Sequence, residues 1–514
     1  MERKSRLLLV SPGRRYANPW DLGELAAVMG RRKFMVPLSL PTLAAWTPAG
    51  WDIRIVDEEL QPLPRDVPDV VGITATLSTL KRALAIADDY RARGSKVVVG
   101  GACTTGDPAQ VLAHADSVVV GEAEDVWEGV LADATAGRLQ PVYRAPEPFE
   151  FRRVRPPRWD LVDTSKLMAL GVQVSRGCPF SCEFCIVHKV FGRKMRYRDV
   201  DDVVEEIRGL PLRQLFFVDD NLTANKAYAR RLMPAIKPLK VSWTCEVSLD
   251  VAQDEALLES MAEAGCSSML IGFESLNPDS LKETGKHHNR LDRYEEAVRR
   301  IHRSGIHVLG SFIVGFDADG PEAFAQIRDF AARVGIGYVN LNLLTVAPGT
   351  ALHDRLALEG RLVDVDTDRL NGTYPSLRYG RLSHAEMVEG FHRTLSEVFD
   401  PVAVREKGLA VLSTGAFTRP APAVRLRDKV RGFAYLLRTY LFTRDRARRR
   451  LFLDLFDLGR RKVADMSRVV EYLLFMATLR QHVQERRQEY ARIEAGLRAN
   501  DVPAAGSPPT AAGA

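Results

Sequence analysis

The sequence is 514 residues long, 46% hydrophobic and 27% charged, with a formal net charge of +6. That length exceeds what one core ordinarily serves, so two or three domains are expected, and the balance excludes a disordered or fibrous chain. Six cysteines in so long a chain exclude a disulfide scaffold, and three of them crowd into positions 178–185, which points to a metal site in a reducing compartment.

No apolar run approaches the roughly 18 residues of a membrane span. Near the start, Leu7-Leu8-Leu9-Val10 is shorter than the roughly 7–15 residues of a signal-peptide core. It reads as a first buried strand, and the protein as cytoplasmic. Positions 1–140 then alternate short apolar runs with helical stretches. Strands are predicted at 6–10, 52–56, 70–74, 96–99 and 117–120, with a helix over 80–93. Continuous apolar strands spaced by helices imply a parallel sheet covered on both faces, the doubly wound, Rossmann-like α/β class. The strands end in small or polar residues: Thr74-Ala-Thr76-Leu-Ser78, Gly100-Gly101 and Gly121-Glu122. Ligands bind at such carboxyl ends. No GxGxxG follows the first strand, so a dinucleotide fold fits poorly.

A Pro- and Arg-rich linker is expected over 141–167. From 168 to 365 a second series appears, with strands predicted at 170–174, 214–218, 242–247, 269–273, 308–314 and 338–344. Six strand–helix units suit a partial (β/α)6 barrel better than a closed eight-fold one. Positions 366–500 are expected to be helical, over 383–400, 425–450 and 463–499. Positions 501–514, rich in Pro, Ala and Gly, are expected to be disordered.

The densest chemical signal is Ser175-Arg-Gly-Cys178-Pro-Phe-Ser-Cys182-Glu-Phe-Cys185, in a loop just after a predicted strand. Thiolates are soft ligands for iron–sulfur clusters or zinc. Three cysteines spaced CxxxCxxC leave one iron of a cubane without a protein ligand, free to take an amine and a carboxylate. Zinc sites usually pair two CxxC arms into four ligands. No second arm exists here, since Cys103, Cys245 and Cys266 are isolated. Taken alone, Asp219 and Asp220 read as a helix N-cap, Glu274 as a charged strand end, and His114 as a structural or solvated histidine.

Together these residues resemble the radical S-adenosylmethionine (SAM) superfamily. Phe184 before the third cysteine fits its aromatic position. Asp219-Asp220-Asn221, Gly272-Phe-Glu274-Ser275, Gly310-Ser-Phe-Ile-Val-Gly315 and Ala347-Pro-Gly-Thr350 follow in the family's order. The resemblance implies a [4Fe-4S] cluster on Cys178, Cys182 and Cys185. It also implies SAM contacts from Asp220 to the amino group, from Glu274 and Ser275 to ribose or methionine, and from Gly315 beside adenine. Positions 1–140 resemble the cobalamin-binding domain of that superfamily. This implies cobalamin contacts at Thr74, Thr76, Ser78, Gly100, Gly101, Gly121 and Glu122. There is no DxHxxG, so no histidine is offered as a lower cobalt ligand. A degenerate domain that binds no cobalamin is the alternative.

Charge is uneven: positions 401–500 hold about 22 Lys and Arg against about 10 Asp and Glu, which marks a local partner or surface. Phe433, Leu436, Leu437, Tyr440 and Leu441 recur at helical spacing among Arg431, Arg438 and Arg444. Such a helix can lie on an anionic membrane; packing on the barrel with a basic face outward is the alternative. No RNA-binding module is visible, so no nucleic acid is expected.

The domain order, with Phe34-Met-Val-Pro37 and Phe191-Gly192-Arg193, is similar to a subgroup that includes hopanoid methylases. That resemblance implies methylation of an unactivated carbon, through a 5′-deoxyadenosyl radical and methylcobalamin, on a small-molecule or lipid-like substrate. It also implies an external one-electron reductant of flavodoxin or ferredoxin type. A cyclase, ring-rearranging enzyme or oxidase with the same cofactors is a second reading. A membrane-associated binding protein with a vestigial cluster is a third, from another class. No catalytic side chain is assigned; His188 and Tyr197 are candidates for substrate or proton handling.

Overall fold

The computed structural model describes residues 4–16, 18, 22–283, 285–286, 289–421, 425–499, 501–503 and 505. The chain forms two compact units, 1–241 with 346–354 and 366–371, and 242–345 with 355–365 and 372–514.

The first unit is built on β1 (Ser5–Ser11), β2 (Trp51–Asp57), β3 (Val70–Thr74), β4 (Lys96–Gly100), β5 (Ser117–Val120) and β6 (Val142–Arg144). They lie in the order β2-β1-β3-β4-β5-β6, all parallel. The strands are apolar at successive positions because both faces are covered. Leu8 and Val10 pack with Ile86, Ala87 and Tyr90 of the helix Leu80–Ala92 on one face. Leu7 and Leu9 pack with Leu40, Trp46 and Trp127 on the other.

The expected linker needs correction. Its first residues form β6 at the sheet edge, where Val142 is exposed. Phe149, Phe151 and Trp159 are buried, and Phe149 meets Trp46 edge-on at 5.4 Å. The arginines that suggested an open linker stack instead: the Arg155 guanidinium lies 4.1 Å from the Trp46 ring. Beyond it, β7 (Leu170–Val172) pairs in parallel with β10 (Gln214–Phe217). Between them β8 (Ser175–Arg176) and β9 (Arg196–Tyr197) make a short antiparallel pair that brackets the cysteine loop. Nothing in the sequence pattern announces that pair.

In the second unit β11 (Ser242–Val247), β12 (Cys266–Glu274), β13 (His307–Val314) and β14 (Tyr338–Leu343) form a parallel run in chain order. Buried and less buried residues alternate along β13. Phe273 and Phe312 stack at 5.2 Å in the core. All six strands predicted between 168 and 365 are therefore present, two in the first unit and four in the second.

The helices that follow are His384–Val398, Pro401–Leu412, Leu426–Leu436, Arg446–Arg460, Met466–Glu485 and Arg487–Ala499. The expected helical segment over 425–450 holds more than one helix, because the Asp445 side chain accepts from the Ala447 amide at 2.9 Å and starts a new one. The first residues of the expected disordered tail are tied down. The Val502 carbonyl accepts from the His384 amide at 3.1 Å, and the Ala505 amide donates to the Tyr379 carbonyl at 2.8 Å. The same expectation for 504 and 506–514 lies outside the described residues. No helix among the described residues is long and apolar enough to cross a membrane.

Candidate functional site

The cysteine loop hangs from β8. Gly177 has φ +97°, and a Cβ there would sit 2.7 Å from the Lys194 carbonyl oxygen, so only glycine lets the loop pass the bend before β9. The Cys178 amide donates to the Gly192 carbonyl, and the Cys185 amide to the Cys182 carbonyl. Burial pushes the Cys185 thiol up to about 12, and the charges of Cys182, Cys178 and Asp220 push the same way. Ionising such a set of thiols needs a cationic centre among them, and an iron–sulfur cluster provides one. Among the described residues no three His, Cys, Asp or Glu side chains close on one ion position. A cubane binds one thiolate per iron, so its ligands surround a volume and need not converge on a point.

The two aspartates at the end of β10 differ. Asp219 is fully buried and accepts from the Val174 amide at 3.1 Å and the Ser175 hydroxyl at 2.6 Å, as well as from the Ser175 amide. It fixes the strand that begins the cysteine loop, and burial pushes its carboxyl up to about 7. Asp220 has a buried Oδ2 with no hydrogen-bond partner, and burial pushes it up to about 6 against the nearby Arg176 charge. An orphaned buried carboxylate oxygen suits an incoming ammonium. His188 Nδ1 and the Tyr197 hydroxyl are also buried without partners. Burial, then Lys189 and Arg193, holds His188 below its ordinary value.

The resemblance gives Glu122 to cobalamin; in the structure its side chain is engaged within the first unit. Glu122 accepts from Arg176 at 2.7 Å through one oxygen, and from Arg196 at 2.7 Å and the Phe149 amide at 3.1 Å through the other. Arg176 also pairs with Glu124 at 2.7 Å, and all four side chains are nearly inaccessible. Both Glu122 oxygens are engaged, so the residue braces the cysteine loop against the first sheet. Arg176, Glu124 and Arg196 were not singled out from the sequence, although Arg176 stands two residues before Cys178.

Gly101, also given to cobalamin by the resemblance, makes a close loop contact. It has φ +109°, and a Cβ there would meet the Ala75 carbonyl at 2.4 Å, so its bareness serves contact between two strand-end loops. Gly100 takes part in the same contact, its carbonyl accepting from the Ala75 amide at 2.9 Å. Gly121, at φ +81°, faces open space. The Thr74 hydroxyl accepts from Ser39 at 3.4 Å. Thr76 and Ser78 open a short helical turn, their hydroxyls 3.3 Å apart. A cavity of about 240 Å³ is lined by Thr76, Leu77, Ser78, Cys103 and Gly106 from the first sheet's loops, and by Ile186, Ala347 and Pro348. Ile186 is the residue after Cys185. Gly106 was missed from the sequence, and a Cβ there would meet the Pro348 carbonyl at 2.6 Å. Burial pushes the Cys103 thiol up to about 12, so it stays neutral.

The other three predicted SAM residues belong to the second unit. Glu274 ends β12 at φ +63°, a conformation that costs a non-glycine residue roughly 1–3 kcal/mol. Its carboxylate accepts from Lys286, which also donates to the Gly272 carbonyl at 2.9 Å. Lys286 carries no sequence signal. Ser275 is buried, and its hydroxyl accepts from the Asn277 amide at 3.0 Å. Gly315, at φ +123°, is covered on its Cβ side by Tyr379 and Met387, with its amide donating to Asp319 at 3.0 Å.

Residues 172–331 match the radical SAM superfamily, residues 33–131 the B12 binding domain, and residues 350–492 a domain of unknown function, DUF4070. The chain is 30% identical over 422 residues to the bacteriochlorophyllide d C-12(1)-methyltransferase of Chlorobaculum tepidum, covering 79% of this chain and 90% of that one. The chain belongs to the cobalamin-binding radical SAM enzymes. It is 28% identical over 398 residues to the hopanoid C-2 methylase of Rhodopseudomonas palustris, covering 73% of each. The structure of a cobalamin-dependent SAM radical enzyme, OxsB, has a TM-score of 0.61 at 14% identity, covering 96% of this chain and 84% of that one. That likeness places this radical SAM enzyme in the expected fold class: a Rossmann-like domain, a parallel radical SAM core and a helical C-terminal region. The family's cofactors are a [4Fe-4S] cluster, SAM and cobalamin.

Proposed function

We propose that this radical SAM enzyme is a C-methyltransferase acting on an unactivated carbon of a small-molecule or lipid-like substrate. The observation that carries the reading is the cavity in the first unit, where the loop Thr76–Ser78 and Cys103 share one opening with Ile186, the neighbour of Cys185. Cofactors held by the two loops would lie side by side. The relatives named above, a bacteriochlorophyllide methyltransferase and a hopanoid methylase, support the same outcome.

When bound, the cluster with SAM supplies a hydrogen-abstracting organic radical, and cobalamin supplies a transferable methyl group. The chain's part is to hold and orient. Cys178, Cys182 and Cys185 take three corners of the cluster and leave the fourth open. Asp220 receives the SAM ammonium; for the rest of that molecule the family resemblance points to Glu274, Ser275 and the Gly315 backbone. Thr74, Thr76, Ser78 and the Gly100 and Gly121 loops take cobalamin. The apolar wall of Leu77, Ile186, Ala347 and Pro348 keeps water from the opening. Electrons come from an external donor of flavodoxin or ferredoxin type. The enzyme works in the cytoplasm, with peripheral membrane contact through its basic C-terminal helices.

The test is anaerobic purification with reconstituted cluster and hydroxocobalamin. Expected are cubane absorbance, a corrin spectrum that survives desalting, and deoxyadenosine from SAM under strong reductant. With substrate present, the product is heavier by one methylene and S-adenosylhomocysteine forms alongside. A cyclised or oxidised product with unchanged carbon count would replace methyl transfer. Zinc in place of a cubane would end the whole reading.

A further inference from the structure

We propose that the helix Leu426–Leu436, with Phe442 after it, is the element that rests on an anionic membrane surface. The proposal builds on the peripheral-contact reading above and names the face.

Leu426, Val430 and Phe433 are 77%, 60% and 42% exposed. Spaced four and three residues apart, they fall on one side of the helix. Phe442, 79% exposed, follows. The helix already serves the core through another side, where Asp428, Gly432 and Leu436 are buried. It therefore carries a second apolar stripe facing water, which an ordinary amphipathic surface helix lacks. At 100° per residue, Arg425 and Lys429 flank that stripe on one side and Arg427 and Arg431 on the other. All four are exposed, as are Arg438 and Arg444 beyond the helix. The one carboxylate in positions 425–444 is Asp428, which is buried and lies 3.6 Å from Arg427.

An apolar stripe between two rows of cations selects its partner by chemistry. Lipid headgroups supply the negative charge, and the acyl boundary beneath takes the leucine, valine and phenylalanine. The long arginine and lysine stems let the charges stay at headgroup level. A nucleic-acid backbone would meet the cations but leave the apolar side chains unserved. A second copy of the same face would bring like charges together.

The test uses the full-length holoenzyme and vesicle flotation. Vesicles contain either phosphatidylcholine alone or an equal mixture with phosphatidylglycerol. Wild type is expected to float with the mixed vesicles at low salt, and to lose flotation in high salt or with phosphatidylcholine alone. The triple variant L426D/V430D/F433D replaces exposed side chains only. It is expected to keep its circular dichroism and its deoxyadenosine formation while its partition falls by roughly tenfold or more. If wild type does not float at low salt, the peripheral-contact reading fails and takes this proposal with it. If wild type and the triple variant float alike, the contact is real but this face is not its seat. If the variant lowers the sedimentation mass instead, the stripe joins two copies and the proposal is wrong.

Discussion

Asp219 and Asp220 are adjacent, yet their carboxylates do different work. Asp219 is closed in by the Val174 and Ser175 amides and the Ser175 hydroxyl, whereas Asp220 keeps a buried oxygen without a partner. Asp220→Asn preserves shape and removes charge. It is expected to weaken SAM binding by about tenfold or more in equilibrium dialysis, since a hydrogen bond to a charged group is worth roughly 1.5–3 kcal/mol. Unchanged affinity would take the SAM ammonium away from Asp220. Cys185→Ala is expected to leave a folded protein that reconstitutes no cubane and makes no deoxyadenosine. Iron retention equal to wild type would break the cluster assignment. The cysteines could be read directly, because ligand type and spacing are local properties. The division of labour between the aspartates could not, because it depends on which backbone amides β8 brings to β10.

Among elements, the brace from the first sheet to the cysteine loop is the structural feature with the clearest cost. Glu122 holds Arg176 and Arg196, and Arg176 also holds Glu124, with almost no solvent access. Removing one charge leaves the others buried and unbalanced, which typically costs about 3–5 kcal/mol. Glu122→Gln is therefore expected to lower the denaturant midpoint and to slow cluster reconstitution. A variant with wild-type stability would show that the pair is dispensable. The long strands were legible because parallel strands covered on both faces read as continuous apolar runs. β6, β8 and β9 were not, because each is two or three residues long with no apolar run to mark it, and exists only through its neighbours. The buried aromatics of the linker were masked by the arginines that stack on them.

At the scale of the whole molecule, two further outcomes are expected. The cavity of about 240 Å³ is below the roughly 300–1,000 Å³ of ordinary small-molecule pockets, so it holds only part of a molecule as large as cobalamin. Hydrogen exchange is expected to slow over 74–78 and 101–106 on loading; no change there would move cobalamin elsewhere. The second outcome concerns acid. His302 is buried, its Nε2 accepts from the Val308 amide at 3.4 Å, and burial pushes it from 6.5 to about 4. Between those values the unfolded chain takes up a proton that the folded chain refuses. Stability is thus whole above 6.5 and falls as pH drops toward 4, by up to about 1.4 kcal/mol per unit. His302→Gln keeps an acceptor for Val308 and is expected to lose less stability than wild type between about pH 7 and pH 5. Equal losses would assign the acid limb to other groups.

The sequence by itself determined the chemistry and the two series of strands and helices. Thiolate spacing fixes what metal group can be held, and the run of apolar residues fixes which segments must be covered. Only the tertiary structure decided the fates of Glu122, Gly101 and Lys286, and which side of the helix Leu426–Leu436 is left facing water. Those outcomes depend on pairing and burial between segments far apart in the chain, and no local pattern encodes which partner a charge or a bare Cα will meet.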